Sequence, residues 1–250
     1  MSDDKSSGTH TAVPEGLIVY AIGDIHGRLD LLDALLEQIG HDISQRRQAK
    51  EQVLLITLGD YVDRGPDTPG VLERLRTLSL ENGQTRCLLG NHEDSLLSFL
   101  EHPADGLNWL KYGGLETLRS YGVDTPDKEP EALDRFKLSR AFRAVFPGEH
   151  RQFLQNMPLW TTCGDYLFVH AGIRPGISLG RQSRRDMLWI REPFLSCTDT
   201  REHTVVHGHT IHPTPENRAN RIGIDTGAWR SNVLTAVVLH GTQRSFIQTH

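Results

Sequence analysis

The sequence predicts an α/β fold in which a helix-covered parallel sheet is followed by a second, mixed sheet. Three observations predict it. Short apolar runs end repeatedly in Gly-Asp, Gly-Asn or His-Ala-Gly; the first three are each followed by helix-like sequence; and beyond about residue 157 helical patterning gives way to closely spaced strand-like runs. Apolar runs without polar alternation indicate strands buried on both faces, and runs that alternate with helices read as successive βα units.

The elements follow in order. Residues 1–15, MSDDKSSGTHTAVPE, are polar and carry too little apolar surface to offset the entropy of ordering, so a disordered leader is expected before a single domain at 16–250. LIVYAI (17–22) reads as a buried strand, followed by GDIHGR and LDLLDALLEQIG, where Leu29, Leu32, Leu36 and Ile39 recur at helical spacing and Gly40 is the expected stop. VLLITL (53–58) precedes GDYVDRGPDT and a helix at VLERLRTL, with Asp67 or Thr68 as N-cap and Pro69 in the first turn. TRCLL (85–89) leads into GNHEDSLLSFLE, whose tail is again helical. The stretch 103–156 reads as a mostly helical insertion capping the strand ends. LWTTC, DYLFVHAG, HTVVHGHT, RIGIDTG and NVLTAVVL are then expected to build the second sheet.

Composition narrows the function classes. With 250 residues, 37% hydrophobic and 24% charged, the chain is long enough to bury one large core. A net charge of -5 argues against a nucleic-acid partner, which calls for a basic face to neutralise phosphates. No run approaches the roughly 18 apolar residues of a membrane span, and the first residues lack a signal peptide's basic start and apolar core. A soluble, cytoplasmic protein with no membrane partner is expected. Cys87, Cys163 and Cys197 are odd in number and widely spaced, which suggests neither a disulfide framework nor a CxxC metal site.

The chemistry-bearing residues sit where the apolar runs stop. Asp24 and His26 alternate in a short loop between Gly23 and Gly27; Asp60 closes the second run and Asn91 the third; His170 and His209 follow two later runs beside Gly or Ala-Gly. A lone strand-end Asp is often a turn former, and a lone His is usually an ordinary residue. Their joint occurrence on strand ends, which usually build the site in such sheets, points to metal binding. Carboxylate, amide and imidazole donors without thiolate suit hard or borderline cations.

GDIHG (23–27), GDYVDRG (59–65), GNHE (90–93), VHAG (169–172) and GHT (208–210) together resemble the motif series of the phosphoprotein phosphatase family of the calcineurin-like metallophosphoesterases, over about 17–239. The resemblance implies a mixed β-sandwich flanked by helices, with two divalent metal ions at the strand ends: Mn first, with Fe, Zn or Co also compatible. Asp24, His26 and a bridging Asp60 would hold one metal; Asp60, Asn91, His170 and His209 the other. His207, two residues before His209, is the less suitable ligand. Two cations about 3.5–4 Å apart can hold a hydroxide between them for direct attack on a phosphate.

The resemblance makes His92 the general acid, oriented by Asp63, and sets Arg64 against the substrate phosphate. Arg191, in LWIRE, resembles the second phosphate-binding arginine of small bacterial members; an exposed ion pair is its other reading. For His92 the other reading is support of the metal ligands alone. Arg174, Arg181, Arg184 and Arg185 read as a solvated basic face, and the Gly113-Gly114 pair as a sharp turn. The remaining eight histidines have no supporting spacing.

GDYVDRG with GNHE favours a Ser/Thr or dual-specificity protein phosphatase acting on a phosphoprotein or small phosphoester. The alternatives are symmetrical hydrolysis of diadenosine tetraphosphate or another nucleotide, and a non-catalytic scaffold. No SAPNYCG-like segment is present and IDTGAW follows the last motif, so no regulatory subunit is implied.

Overall fold

The structure is a computed structural model describing residues 11–46, 51–199 and 202–249. Two five-stranded sheets form its centre. The first takes the order β10-β9-β1-β2-β3 and the second β4-β5-β6-β8-β7.

In the first sheet, β1 (Leu17–Ile22), β2 (Gln52–Thr57) and β3 (Gly83–Cys87) run parallel. Helices α1 (Leu29–Arg46), α2 (Thr68–Arg76) and α3 (Asn91–Glu101) follow these strands in turn, as the βα reading expects. Asp67 is the cap of α2, its Oδ1 accepting from Gly70 N–H at 2.8 Å. The expected stop at Gly40 is overturned. Helix α1 runs on through Arg46, because Asp42 accepts from the Tyr20 hydroxyl at 2.7 Å and from Arg46 Nε at 2.7 Å, and Ile43 packs on the core. Gly40 is exposed within this helix, where it costs only about 1 kcal/mol relative to Ala.

The insertion is helical. It comprises α4 (Leu107–Trp109), a kinked stretch over Leu110–Gly114, α5 (Leu115–Ser120), α6 (Arg135–Val145) and α7 (Gly148–Gln155). Leu110, Leu118, Leu138, Phe142 and Leu154 join the core under α2 and α3, so this segment is continuous with the body of the fold.

The second sheet contains β4 (Trp160–Cys163), β5 (Tyr166–Val169), β6 (Thr204–His207), β7 (Glu216–Asn217) and β8 (Arg221–Gly223), with α8 (Arg184–Trp189) inserted after β5. After the short α9 (Ala228–Ser231), β9 (Thr235–His240) departs from expectation. It pairs antiparallel with β1 in the first sheet, and β10 (Gln243–Gln248) adds to its outer edge. A strand buried at Thr235–Leu239 fits there because it is covered on both faces.

Val19, Ala21, Ile56 and Val237 of the first sheet pack with Phe168, Val206 and Ile222 of the second. Each fully buried aliphatic or aromatic side chain contributes about 1.5–3 kcal/mol. Residues 1–10 of the expected leader lie outside the described residues. The expectation fails for Thr11–Glu15: Val13 is buried, its N–H donates to Gly241 O at 3.0 Å, and Ala12 N–H donates to Asp165 Oδ2 at 2.9 Å. Among the described residues no helix is long and apolar enough to cross a membrane.

Candidate metal centre and cleft

The parallel strands β1, β2, β3, β5 and β6 all end at the same cluster. Asp24 and His26 lie in the loop after β1, Asp60 after β2, Asn91 at the start of α3, and His170 and His209 after β5 and β6. The loops achieve this convergence with backbone that L-residues seldom adopt: φ is +50° at His26, +54° at Asp60, +73° at Asp63, +68° at Arg64 and +62° at His209. Each such residue costs about 1–2 kcal/mol.

Glu93 holds one of these loops in place. Its carboxylate accepts from the backbone N–H of Asp60 (2.8 Å), Tyr61 (2.7 Å), Val62 (3.2 Å) and Gly90 (2.9 Å). Burial and the Asp60 charge push its pKa up to about 8, while the amides pull it down. Glu93→Ala would strand four buried donors at about 1–3 kcal/mol each, less than additively. The expected loss is about 3 kcal/mol or more, read as a lower urea midpoint at unchanged slope; an unaltered midpoint would contradict it.

The tautomers explain why a cation fits. A backbone carbonyl only accepts, so His26 Nδ1–H donates to Val62 O at 2.8 Å and His170 Nδ1–H to Leu58 O at 2.9 Å. Burial lowers both pKa values, so each Nε2 presents a lone pair. That of His170 faces Asn91 Oδ1 at 2.7 Å and Asp60 Oδ1 at 3.4 Å, and that of His26 faces Asp60 Oδ2 at 3.7 Å. His209 Nδ1 likewise faces Asn91 Oδ1, at 2.9 Å. Lone pairs directed at oxygens repel unless positive charge stands between them. Two overlapping groups, His26–Asp60–His92 and Asp60–His170–His209, have the spacing to hold a metal and share Asp60.

Asp24 sits beside this arrangement and accepts from His209 N–H at 3.1 Å. Burial, then the nearby Asp225 and Asp60 charges, raise its pKa well above the usual range. Burial likewise raises Asp225 to about 6. Three carboxylates gathered in a buried cleft are a further reason for bound cations.

His92 pairs with Asp63, its Nδ1 at 2.6 Å from Oδ2. Burial lowers the imidazole's pKa, but Asp60 and Asp63 outweigh it and leave it raised. The fully buried Asp63 also accepts from Trp109 Nε1 at 2.9 Å and Thr117 Oγ1 at 2.7 Å. With Nδ1 so held, Nε2 of His92 is the nitrogen turned to the cleft.

Arg64 and Arg191 both line a cleft of about 630 Å³ with these residues. Arg64 donates its N–H to Gly113 O at 3.2 Å, and its Nη2 is 3.4 Å from His92 Nε2. Gly113 has φ +116°, and a Cβ there would meet Arg64 N at 2.6 Å; the glycine permits this close approach as well as a turn. Arg191 is exposed and makes no ion pair with any described residue. The basic face is partly neutralised instead: Arg174 pairs with Asp186 at 2.7 Å and Arg184 with Asp94 at 2.6 Å. His207 stays apart from the cluster, its ring packed edge-on against Phe194 at 5.0 Å.

Sequence reasoning gave no role to Glu93, Trp109, Thr117, Tyr112 or Trp189. Only Glu93 carried a local signal, an acid three residues after the cap position of α3. The others reach the cleft through tertiary contacts.

Comparison with known proteins agrees with this geometry. The chain is 35% identical over 169 residues to a symmetrical bis(5'-nucleosyl)-tetraphosphatase of Ectopseudomonas mendocina, an alignment covering 68% of this chain but only 50% of that enzyme. The chain thus spans about half the length of that relative. It is 28% identical to the asymmetrical bis(5'-nucleosyl)-tetraphosphatase PrpE of Bacillus velezensis over 86% of both proteins. A solved structure provisionally assigned as a diadenosine tetraphosphatase superposes with a TM-score of 0.65 at 20% identity, covering 97% of this chain and 96% of the other, which shows the shared fold. The model of the calcineurin-like phosphoesterases matches residues 17–230, and with its two mixed sheets and shared Asp/His cluster the chain belongs to that family of metallophosphoesterases.

Proposed function

We propose that the chain hydrolyses bis(5'-nucleosyl) tetraphosphates, in place of the phosphoserine and phosphothreonine substrates that the motifs first suggested. The observation that carries this reading is relatedness along 86% of both chains to an enzyme named for that activity. The cleft supports it. Arg64 and Arg191 both line it, an arrangement suited to several linked phosphates.

The Asp63 of GDYVDRG does not by itself separate a protein phosphatase from a dinucleotide hydrolase, for a physical reason. It is held by Trp109 and Thr117 and orients His92 whatever group departs.

Asp24, His26 and Asp60 would hold one divalent ion, and Asp60, Asn91, His170 and His209 a second, Mn being the first choice. When bound, the metals supply Lewis-acid charge and lower the pKa of the attacking water. Arg64 and Arg191 bind and align phosphate oxygens through fixed donor geometry. His92 delivers a proton from Nε2 to the departing oxygen, and Asp63 keeps the ring oriented and charged. Water is consumed as one P–O bond breaks. The relatives aligned over 86–87% of their length are named asymmetrical enzymes, so a nucleoside triphosphate and a monophosphate are the expected products.

The test is steady-state hydrolysis by metal-stripped protein restored with Mn, comparing diadenosine tetraphosphate, a phosphothreonine peptide and p-nitrophenyl phosphate. The dinucleotide is expected to give the highest kcat/KM, with ATP and AMP resolved by chromatography. Preference for the peptide would return the protein-phosphatase reading. Paired ADP products would mark the symmetrical cut.

A further inference from the structure

Two large aromatic side chains remain exposed where the cleft meets solvent, and the chemistry above uses neither. Tyr112 is 65% exposed and Trp189 45%, although indole and phenol surface is normally covered. Both line the same 630 Å³ cleft, which falls within the roughly 300–1,000 Å³ of small-molecule sites.

They stand beside different groups of the cleft. Tyr112 lies on the Arg64 side: its carbonyl is 3.4 Å from Arg64 Nε, and the neighbouring Gly113 carbonyl accepts from Arg64 N–H at 3.2 Å. The kink at Tyr112 and Gly113 interrupts the helix at this point. Trp189, the last residue of α8, lies beside His209, its ring 6.1 Å from that of His209 and edge-on to it. Tyr112 thus stands beside Arg64, whose guanidinium also lies over the Trp229 ring at 4.9 Å, and Trp189 stands beside His209. A phosphoester with a single aromatic group has use for one such ring. A polyphosphate with a nucleoside at each end has use for both.

We infer that Tyr112 and Trp189 are stacking platforms for the two nucleobases of a dinucleoside polyphosphate, whose phosphate chain runs between them past Arg64 and Arg191. This rests on the dinucleotide reading above and adds the recognition of both bases. Stacking on an aromatic face tolerates any base, because every base presents a π-face. The structure therefore assigns selectivity for substrates with two nucleosides and little preference among adenine, guanine and other bases.

The experiment measures inhibition constants against p-nitrophenyl phosphate hydrolysis by the full-length, Mn-supplemented protein. The competitors are diadenosine tetraphosphate, adenosine tetraphosphate and inorganic tetraphosphate, carrying two bases, one and none. In Tyr112→Ala and Trp189→Ala the constant for the dinucleotide, relative to that for inorganic tetraphosphate, is expected to rise about five- to hundredfold. The double variant is expected to bind the dinucleotide no better than inorganic tetraphosphate, and Tyr112→Phe and Trp189→Phe to keep most of the preference. An unchanged ratio, or equal losses for all three competitors, would overturn the platforms. Chromatography of the same mixtures separates the two claims: a dinucleotide bound through both rings but left uncleaved would refute the hydrolase reading alone.

Discussion

Replacing Asp60 with Asn is expected to reduce turnover by about three orders of magnitude or more and to lower the divalent metal retained after gel filtration. Loss of one preorganised electrostatic partner already costs about two to three orders, and Asp60 is the carboxylate common to both candidate metal groups. Asn is close to isosteric and keeps an acceptor for His92 N–H, which lies 3.1 Å from Oδ1, so α3 should stay in position. What disappears is charge. Elemental analysis and p-nitrophenyl phosphate turnover on the same sample check this, and wild-type turnover in the variant would remove Asp60 from the site's chemistry.

His92→Asn is expected to leave metal content intact and to slow turnover by about two to four orders, the scale of a general acid. The backbone N–H to Asp60 survives the substitution, whereas the bond to Asp63 and the proton on Nε2 do not. The loss should depend on the leaving group. Alkyl phosphates, which depart as strongly basic alkoxides, should suffer more than p-nitrophenyl phosphate, whose phenolate leaves without a proton. Asp63→Asn should shift rates in the same direction, because the ring loses its anionic partner while Trp109 and Thr117 remain. Equal losses on alkyl and aryl substrates would mean that His92 only supports neighbouring ligands.

Much of the site was legible because its motifs are local. A buried strand, a glycine and a polar residue form a unit of a few positions, and its meaning depends mainly on which residues follow one another. The first three strands and helices were legible for the same reason, since each βα unit carries its own periodicity and caps. Errors appeared where local preference met a tertiary partner. Gly40 reads as a stop, yet Asp42 and Ile43 find partners that carry α1 past it. The run at 234–239 reads as the end of one sheet, yet the open edge of β1 takes it into the other. Thr11–Glu15 read as too polar to order, yet backbone groups and Val13 dock on distant loops.

By itself the sequence determined the α/β class, the order of the motifs and the places of Asp24, His26, Asp60, Asn91, His170 and His209 after the strands, the residues proposed to hold the metals; the family resemblance added the pairing of Asp63 with His92. Only the tertiary structure decided how those side chains face one another, that Glu93 holds the loop after β2, that Trp109 and Thr117 fix Asp63, and that Tyr112 beside Arg64 and Trp189 beside His209 line one cleft. The physical reason is range. Backbone propensity and motif spacing act over a few residues, whereas lone-pair direction, desolvation and the approach of an arginine to a glycine 49 positions away, as for Arg64 and Gly113, arise only when the sheets have packed.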